Sequence, residues 1–216
     1  MIRHLGEQAS VLHHFISEIR DSRIQSDPMR FRRNLERIGA FMGMELSKEL
    51  DYHEVEVHTP LGVAKQMQLV QQPVLATVLR AGLPMYQGLL QVFDRAESAF
   101  IGAFREHEEA EQFHIKLGYH TSPDITGKEL ILADPMLATG ASFVKTIHAI
   151  TEHHEPKRIH LLAAVASKPG LEFLQNELPD AWIWTAAIDP ELNSKSYIVP
   201  GLGDAGDLAF GEKIQD

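Results

Sequence analysis

The sequence contains no cysteine, and this absence removes several kinds of chemistry at once. A disulfide framework, a thiolate zinc site and a cysteine nucleophile are all excluded. Basic residues are also in the minority, since 20 Lys and Arg stand against 30 Asp and Glu and the formal net charge is −10 with histidines neutral. This balance argues against general binding to DNA or to an anionic membrane. A local pair of arginines can still bind a small anionic substrate.

Long apolar runs are missing as well. No run approaches the roughly 18 residues that a membrane span needs, and Met1–His4 leads into a polar helical pattern instead of a signal region. We therefore expect a cytoplasmic protein. The apolar content of 44% and the charged content of 23% are those of an ordinary globular protein. A chain of 216 residues suits one α/β domain that spans 1–216.

Hydrophobic periodicity divides this domain into three parts. Helical patterns fill about 8–50, strands and helices alternate through a core of about 72–188, and a glycine- and proline-rich tail occupies about 189–211. The alternation implies right-handed crossovers and a central parallel sheet. Predicted strands cover 74–79, 99–104, 130–133, 159–166 and 182–188; predicted helices begin at Gly82-Leu83-Pro84, Ser142 and Gly170; hairpin strands cover 54–58, 64–69 and 112–119.

The most informative segment joins a buried strand to a helix. Leu130–Ala133 is apolar, Asp134 follows it, and small and hydroxylated residues lead into the next helix. Ligands of open parallel sheets bind beyond the carboxyl ends of the strands. A helix N-terminus there offers unpaired N–H groups to a phosphate, to which Thr139 and Ser142 can add hydroxyl donors. Gly140 permits close backbone approach, and Asp134 can accept hydrogen bonds from two ribose hydroxyls.

The pattern taken alone leaves two interpretations open. One is a site for a ribose 5-phosphate; the other is an ordinary turn in which Asp134, Thr139 or Ser142 caps the helix. The segment is not a Walker loop, because the glycine spacing and the following lysine are missing, and it is not a dinucleotide-binding fingerprint.

Four segments in order resemble the uracil phosphoribosyltransferases. Asp134–Gly140 resembles their phosphoribosyl pyrophosphate loop, which has one acid and then proline where most type I phosphoribosyltransferases have two adjacent acids. Val78–Leu83 resembles the pyrophosphate loop, Gly102–Arg105 the strand with the second arginine, and Tyr197–Asp207 the hood that receives the base. Taken singly, each could be a turn, a surface salt-bridge residue or a packed loop. Together they cover nearly the whole chain in family order.

The resemblance implies the type I phosphoribosyltransferase fold, in which helices flank a central, mainly parallel sheet and a β-hairpin arm and a C-terminal hood are added. It implies transfer of 5-phosphoribosyl to uracil, giving UMP, with Arg80, Arg105 and Asp204 as the catalytic residues. Uracil would bind at Ile198, Gly203, Asp204 and Ala205, largely through the main chain. Phosphoribosyl pyrophosphate would bind at Arg80, Ala81, Gly82, Arg105, Asp134, Pro135, Met136, Leu137, Ala138, Thr139, Gly140, Ala141, Ser142 and Asp204.

Some positions depart from the family pattern. Ala141 replaces a glycine, which should be tolerated if the residue is already helical. Pro84 and Gln87 stand where many members have glycine and an acid, and Leu208 stands where many have Lys or Arg. These changes affect regulation and substrate geometry more than the reaction.

The resemblance also implies a cofactor and partners. Mg²⁺ would be held mainly through substrate and water, so no protein metal site is expected. A homodimer or a higher homo-oligomer is expected, with neither nucleic acid nor membrane as a partner. GTP activates some members of the family. The resemblance therefore extends to GTP binding, but it assigns no residues of this sequence to that role.

Two alternative functions remain at this stage. One is a phosphoribosyltransferase for another base, and the other is a pyrimidine-sensing regulatory protein on the same scaffold. The twelve histidines are interpreted as surface or partly packed residues, because none forms a His-Glu-x-x-His pattern. Four arginines on the second helix are interpreted as a solvated or subunit-facing surface: Arg30, Arg32, Arg33 and Arg37.

Overall fold

The computed structural model describes residues 1–107 and 113–212, and between 103 and 118 it describes the backbone alone. Its strands are β1 (Ile2–His4), β2 (Tyr52–Thr59), β3 (Gly62–Leu69), β4 (Val74–Leu79), β5 (Glu97–His107), β6 (Phe113–Thr121), β7 (Glu129–Ala133), β8 (Met136–Leu137), β9 (Arg158–Ser167), β10 (Trp182–Asp189), β11 (Glu191–Leu192) and β12 (Ile198–Val199). Its α-helices are α1 (Leu12–Arg20), α2 (Pro28–Ser47), α3 (Leu83–Val92), α4 (Ala141–Thr151), α5 (Lys168–Glu177) and α6 (Ala205–Phe210).

One eight-stranded sheet forms the centre, with its strands in the order β1-β10-β9-β7-β4-β5-β6 and β8 paired to β9. The pairing is parallel throughout except between β5 and β6. Every residue of β7 is buried, as is Val74–Val78 of β4, because helices cover both faces of the sheet. Continuous apolar strands are typical of this arrangement. The predicted fold class, a mainly parallel sheet flanked by helices, is confirmed.

Two hydrophobic clusters pack on opposite faces of the sheet. One joins α1, α2 and α3 to strand residues such as Leu75 and Ile131. The other joins α4 and α5 to their neighbours on the opposite side of the same strands, including Ala76 and Leu132. Alternate residues of a strand point to opposite faces, so each strand supplies both clusters.

The local start and stop signals read from the sequence agree with the structure. Asp27 caps α2 by accepting hydrogen bonds from the N–H groups of Met29 (3.0 Å) and Arg30 (3.2 Å), and proline follows it in the first helical position. The hairpin β2–β3 turns at residues 60–61, as predicted. Ala141 is the first residue of α4, so its departure from the family glycine falls on a helical position.

A buried polar network lies at the amino-terminal ends of β7, β9 and β10. His160 is fully buried, and its Nε2 lies 3.0 Å from Oε2 of Glu129. The Trp184 indole N–H donates to His160 Nδ1 (3.2 Å). Because an indole nitrogen only donates, His160 Nδ1 accepts and the proton sits on Nε2, which donates to Glu129. The interpretation of all histidines as surface or partly packed is therefore wrong for His160.

Among the helices of the described residues, we find no segment with the length and apolar character of a membrane span.

Candidate active site

The loops predicted to bind substrate begin at a common edge of the sheet. The parallel strands β4, β7, β9 and β10 end at Leu79, Ala133, Ser167 and Asp189. Ligands of such sheets bind in the crevice beyond these carboxyl ends. The buried network of His160 lies at the amino-terminal ends of these strands, away from this crevice.

The predicted phosphate loop runs along β9 before it enters α4. The Asp134 N–H donates to the Leu162 carbonyl (3.1 Å), and the Val165 N–H donates to the Pro135 carbonyl (3.0 Å). Gly140 then adopts a left-handed φ of 82° immediately before α4. Residues 139–142 thus surround the N-terminus of an eleven-residue helix, where backbone N–H groups and the helix dipole favour an anion.

Helix α5 supports this loop, a contact that the sequence analysis did not identify. The Ser167 hydroxyl donates to the Ala138 carbonyl (2.5 Å) and accepts from the Gly170 N–H (2.9 Å). A Cβ on Gly170 would lie 2.2 Å from the Ala138 oxygen. Ser167 and Gly170 therefore fix the distance between the phosphate loop and the start of α5. The signal that could have identified them is a serine N-cap before Lys168–Glu177.

Asp134 occupies an unusual electrostatic position. Burial raises its pKa to about 7, against a hydrogen bond from the Met136 N–H that lowers it, and repulsion from Asp204 raises it further. The carboxylates of Asp134 and Asp204 are therefore close enough to repel each other. Asp134 comes from the phosphate loop and Asp204 from the tail, so the fold brings two distant segments to one place.

The segment after β4 packs against the base of the phosphate loop. The peptide between Leu79 and Arg80 is cis. A Cβ on Gly82 would lie 2.1 Å from the Thr77 hydroxyl and 2.7 Å from the Ala133 carbonyl. That hydroxyl itself donates to the Ala133 carbonyl (3.0 Å). Gly82 is thus required by close packing between two of the predicted substrate loops.

The Arg80 guanidinium is exposed and points toward the tail. Its Nη2 lies 3.3 Å from Oδ1 of Asp207 and donates to the Gly211 carbonyl (3.2 Å). An ideal Cβ on Gly206 would lie 3.9 Å from the Cβ of Ala81. The pyrophosphate-loop segment and the start of α6 are therefore in contact.

The tail contains short regular elements where the sequence predicted only an ordered loop. Strands β11 and β12 pair as a hairpin, and Asp204 caps α6 by accepting hydrogen bonds from the N–H groups of Gly206 (2.9 Å) and Asp207 (3.0 Å). Ile198 and Ala205 are buried. Gly203 is exposed at φ 95°, and no atom lies within 4 Å of the position its Cβ would take. Main-chain groups at Gly203 are thus open to a ligand.

Side chains from the N-terminal helical segment hold the tail, another feature that sequence reasoning missed. Arg20 pairs with Asp189 and also donates to the Gly201 carbonyl (3.1 Å). Gln25, in the amide orientation that satisfies its neighbours, donates to the Leu202 carbonyl (2.8 Å). Arg32 donates to the Ala209 carbonyl (2.6 Å), so it is not simply a solvated surface residue. No local motif marks these contacts, which span more than 160 residues of chain.

Three of the four predicted segments thus meet at one edge of the sheet. The prediction for Arg105 concerns a side chain outside the described residues. Its backbone lies in β5, opposite Ile115 of β6. Strand β5 pairs with β4, and Arg80 is the first residue after β4.

Mg²⁺ prefers hard oxygen ligands and retains several waters. The carboxyl groups of Asp134 and Asp204 can supply such oxygens. Among the residues described, no group of three His, Asp or Glu side chains forms a metal cage. The oxygen chemistry of these two side chains fits the ligand preference of a magnesium ion.

The sheet order and the loop edge define a phosphoribosyltransferase fold. Orotate phosphoribosyltransferase from Mycobacterium tuberculosis, solved with 5-phospho-α-D-ribosyl 1-diphosphate, superposes with a TM-score of 0.52 at 12% identity and covers 86% of this chain and 95% of its own. A solved structure from Aquifex aeolicus superposes with a TM-score of 0.86 at 30% identity, and each chain covers 100% of the other.

The sequence comparisons specify the family more narrowly. The family model for uracil phosphoribosyltransferase matches residues 7–212. The uracil phosphoribosyltransferase of Porphyromonas gingivalis is 48% identical over 98% of both chains. The enzyme of the same name from Thermococcus gammatolerans is 36% identical over 97% of this chain and 93% of its own. The chain belongs to the uracil phosphoribosyltransferase family.

Proposed function

We propose that the chain transfers the 5-phosphoribosyl group from phosphoribosyl pyrophosphate to uracil, giving UMP and pyrophosphate in pyrimidine salvage. Family membership and the phosphoribosyltransferase fold support this reaction. The structural observation that carries the proposal is that the segment after β4 packs against both the end of β7, where the phosphate loop begins, and the start of α6 in the tail. A base on the tail can therefore meet a ribose on the phosphate loop.

The 5-phosphate and the ribose bind at residues 134–142. The phosphate accepts hydrogen bonds from N–H groups at the start of α4, and the Thr139 and Ser142 hydroxyls add donors. The Asp134 carboxylate accepts from the two ribose hydroxyls. This role needs the ionised form of Asp134, so the substrate must offset the burial that raises its pKa to about 7.

Pyrophosphate is the leaving group, and stabilising its growing negative charge lowers the barrier. Arg80 and Arg105 bind its oxygens, because a guanidinium can do so bidentately where an ammonium cannot. Backbone N–H groups at Ala81 and Gly82 add further donors. Arg80 also bonds to Asp207 and Gly211 of the tail, so the same side chain links the leaving-group site to the tail.

Uracil offers an alternating set of amide-like donors and acceptors. Main-chain N–H and C=O groups at Ile198, Gly203 and Ala205 match this set. A site with fixed polar partners rejects cytosine, whose amino group and ring nitrogen reverse the hydrogen-bond pattern. Asp204 orients the sugar diphosphate or the waters around its metal, and action as a base on the uracil N–H is the weaker role for it.

When bound, Mg²⁺ neutralises charge on the pyrophosphate and ribose oxygens. Asp134 and Asp204 would help to hold such an ion, directly or through its waters. We further propose that the protein works in the cytoplasm as a homodimer or a higher homo-oligomer. Sedimentation of the purified protein, with and without GTP, tests the assembly and any GTP-dependent change in it.

The direct test is the formation of radiolabelled UMP from uracil, phosphoribosyl pyrophosphate and Mg²⁺. We expect uracil to be converted while cytosine, hypoxanthine and orotate remain unchanged. Preference for one of those bases would favour a different phosphoribosyltransferase. Tight uracil or UMP binding without turnover would favour a regulatory protein. Arg105→Ala should lower kcat/KM for phosphoribosyl pyrophosphate, and near-normal kinetics would remove Arg105 from the site.

A further inference from the structure

One ion pair anchors the tail to helix α1. The two guanidinium nitrogens of Arg20 donate to the two carboxylate oxygens of Asp189, Nη1 to Oδ2 at 2.8 Å and Nη2 to Oδ1 at 2.9 Å. The same pair binds both polar groups of one residue: the Gly201 N–H donates to Asp189 Oδ2 (2.9 Å), and Arg20 Nη1 donates to the Gly201 carbonyl (3.1 Å). Two hydrogen bonds thus hold the N–H and the carbonyl of Gly201, and two more join Arg20 to Asp189.

The pair is shielded from solvent. The side chain of Asp189 is 7% exposed and that of Arg20 is 21% exposed. Bidentate, charge-assisted hydrogen bonds in such surroundings hold a defined geometry. Burying two charges also costs solvation, so a buried pair is weak evidence for a role in stability. A neighbouring pair, Arg23 with Asp21, is also bidentate, through Nε and Nη2, but leaves Arg23 87% exposed.

The anchored residue lies between the main-chain groups proposed for uracil. Gly201 stands between Ile198 and Gly203, and its φ is +57°. A Cβ on Gly201 would lie 2.1 Å from the Ile198 carbonyl. The chain is therefore tightly folded here, and a shift of Gly201 must move Ile198 or Gly203 with it.

We infer that Arg20 and Asp189 are positioning residues for the uracil-binding main chain. This inference rests on the proposed function, because it assigns the anchored segment to the base. A small rigid base is held by a few directional hydrogen bonds, so a displacement near 1 Å weakens its binding. The phosphate loop is held separately by Ser167 and Gly170. Loosening the pair should affect uracil far more than phosphoribosyl pyrophosphate.

The first test compares Arg20→Lys and Asp189→Asn with the matched controls Arg23→Lys and Asp21→Asn. Lysine keeps the charge but loses the two-pronged contact. We expect the KM for uracil to rise about tenfold in the first two variants, while the KM for phosphoribosyl pyrophosphate and kcat stay within about twofold. The controls should match wild type. Because the two residues act as a unit, the double variant should be no worse than the poorer single one.

Hydrogen exchange at the Gly201 amide gives a readout that does not need turnover. Exchange should be faster in Arg20→Lys and Asp189→Asn than in wild type or in Arg23→Lys. Faster exchange with an unchanged KM for uracil, an equal rise in both KM values, or unchanged exchange would each overturn the inference. A wild-type protein that makes no UMP would instead overturn the proposed function. If Arg20→Lys does not fold, Asp189→Asn alone decides between these outcomes.

Discussion

Asp134, which we propose binds the ribose, lies where its charge opposes folding. Its pKa is raised to about 7 in the folded protein, mainly by burial, from an ordinary value of 3.8. Between those values the folded state holds a proton that the unfolded state has lost. The contribution of Asp134 to stability therefore falls as the pH rises through this window, and the penalty is complete above about pH 7.

Replacing Asp134 by Asn should separate these two effects. We expect the KM for phosphoribosyl pyrophosphate to rise sharply, because the carboxylate that accepts from the ribose hydroxyls is gone. The Tm should rise relative to wild type by a few degrees, about 3 °C, at pH 8 and by less at pH 5. Scanning calorimetry at the two pH values and initial rates measure both.

Asp124→Asn is the matched control. A hydrogen bond from the Thr126 N–H and other contacts lower the pKa of Asp124, so the sign of its effect on stability is opposite. This variant should gain no stability at high pH and should keep normal kinetics. An Asp134→Asn protein with unchanged KM and kcat would remove Asp134 from the site.

Replacing Arg80 tests whether its guanidinium binds the pyrophosphate, as we propose. Arg80→Lys keeps the charge but loses bidentate binding, and we expect kcat to fall by about 100-fold. Arg95→Lys, in the exposed turn at the far end of α3, should have normal kinetics. Rapid-mixing or steady-state assays with saturating uracil suffice, and equal rates for the two variants would contradict the assignment.

At the scale of the element, the start of α4 depends on the conformation of Gly140. Gly140→Ala must place a Cβ at φ 82°, where it would lie 2.9 Å from Phe173 and 3.1 Å from the Gly170 carbonyl. The left-handed conformation alone costs an L-residue about 1–2 kcal/mol. We expect that loss of stability together with a higher KM for phosphoribosyl pyrophosphate, because relief of the contact must shift the loop.

Gly127→Ala measures the cost of the left-handed backbone conformation alone. Gly127 has a similar φ of 71°, but its Cβ would meet nothing within 4 Å. Denaturant titration should show a comparable loss of stability for Gly127→Ala, with unchanged kinetics. A normal KM in Gly140→Ala would mean that the loop tolerates the shift and does not depend on this packing.

Elements with a local signal were predictable from the sequence. The buried runs of β4 and β7, the proline-led start of α3 and the turn of the hairpin at residues 60–61 all carry short-range signals, and all agree with the structure. β1 and β8 were not predicted, because segments of three and two residues are too short to show periodicity. α6 was missed for the same reason, in a tail rich in glycine.

The supports of the site could not be predicted, because they are long-range. Arg20 and Asp189 stand 169 positions apart, and nothing in either neighbourhood specifies the other. The contact of the tail with the segment after β4, at Gly206 and Ala81, is also decided by tertiary packing. Family resemblance supplied the candidate residues, whereas the contacts that hold them came only from the folded chain.

At the scale of the whole molecule, the two ends of the parallel strands differ in role. The proposed active site lies beyond the carboxyl ends, and the buried network of Glu129 and His160 lies at the amino ends. Burial alone would raise the pKa of Glu129, but hydrogen bonds from His160 and Lys157 outweigh it and hold the pKa below its usual value. A lowered carboxyl pKa contributes stability above the ordinary glutamate range, and that contribution is lost as the pH falls through the folded value.

Glu129→Gln should therefore destabilise the protein without changing catalysis. We expect a loss of about 2 kcal/mol near pH 7, shrinking toward pH 4, with kcat and both KM values unchanged. Glu54→Gln, which breaks the exposed pair with Lys65 on the hairpin, should cost little at either pH. Urea titration followed by tryptophan fluorescence measures the loss, and altered KM values would show that the buried network and the active site are coupled.

The bond between Arg20 and Gly201 has a consequence for synthesis of the chain. Helix α1 leaves the ribosome well before its partner Gly201, which stands 181 positions after Arg20. A nascent chain can fold much of its sheet before then, yet it cannot seat the base-recognising segment. We therefore expect the segment around Gly201 to dock on α1 only after it has left the ribosome, in a step later than folding of the sheet.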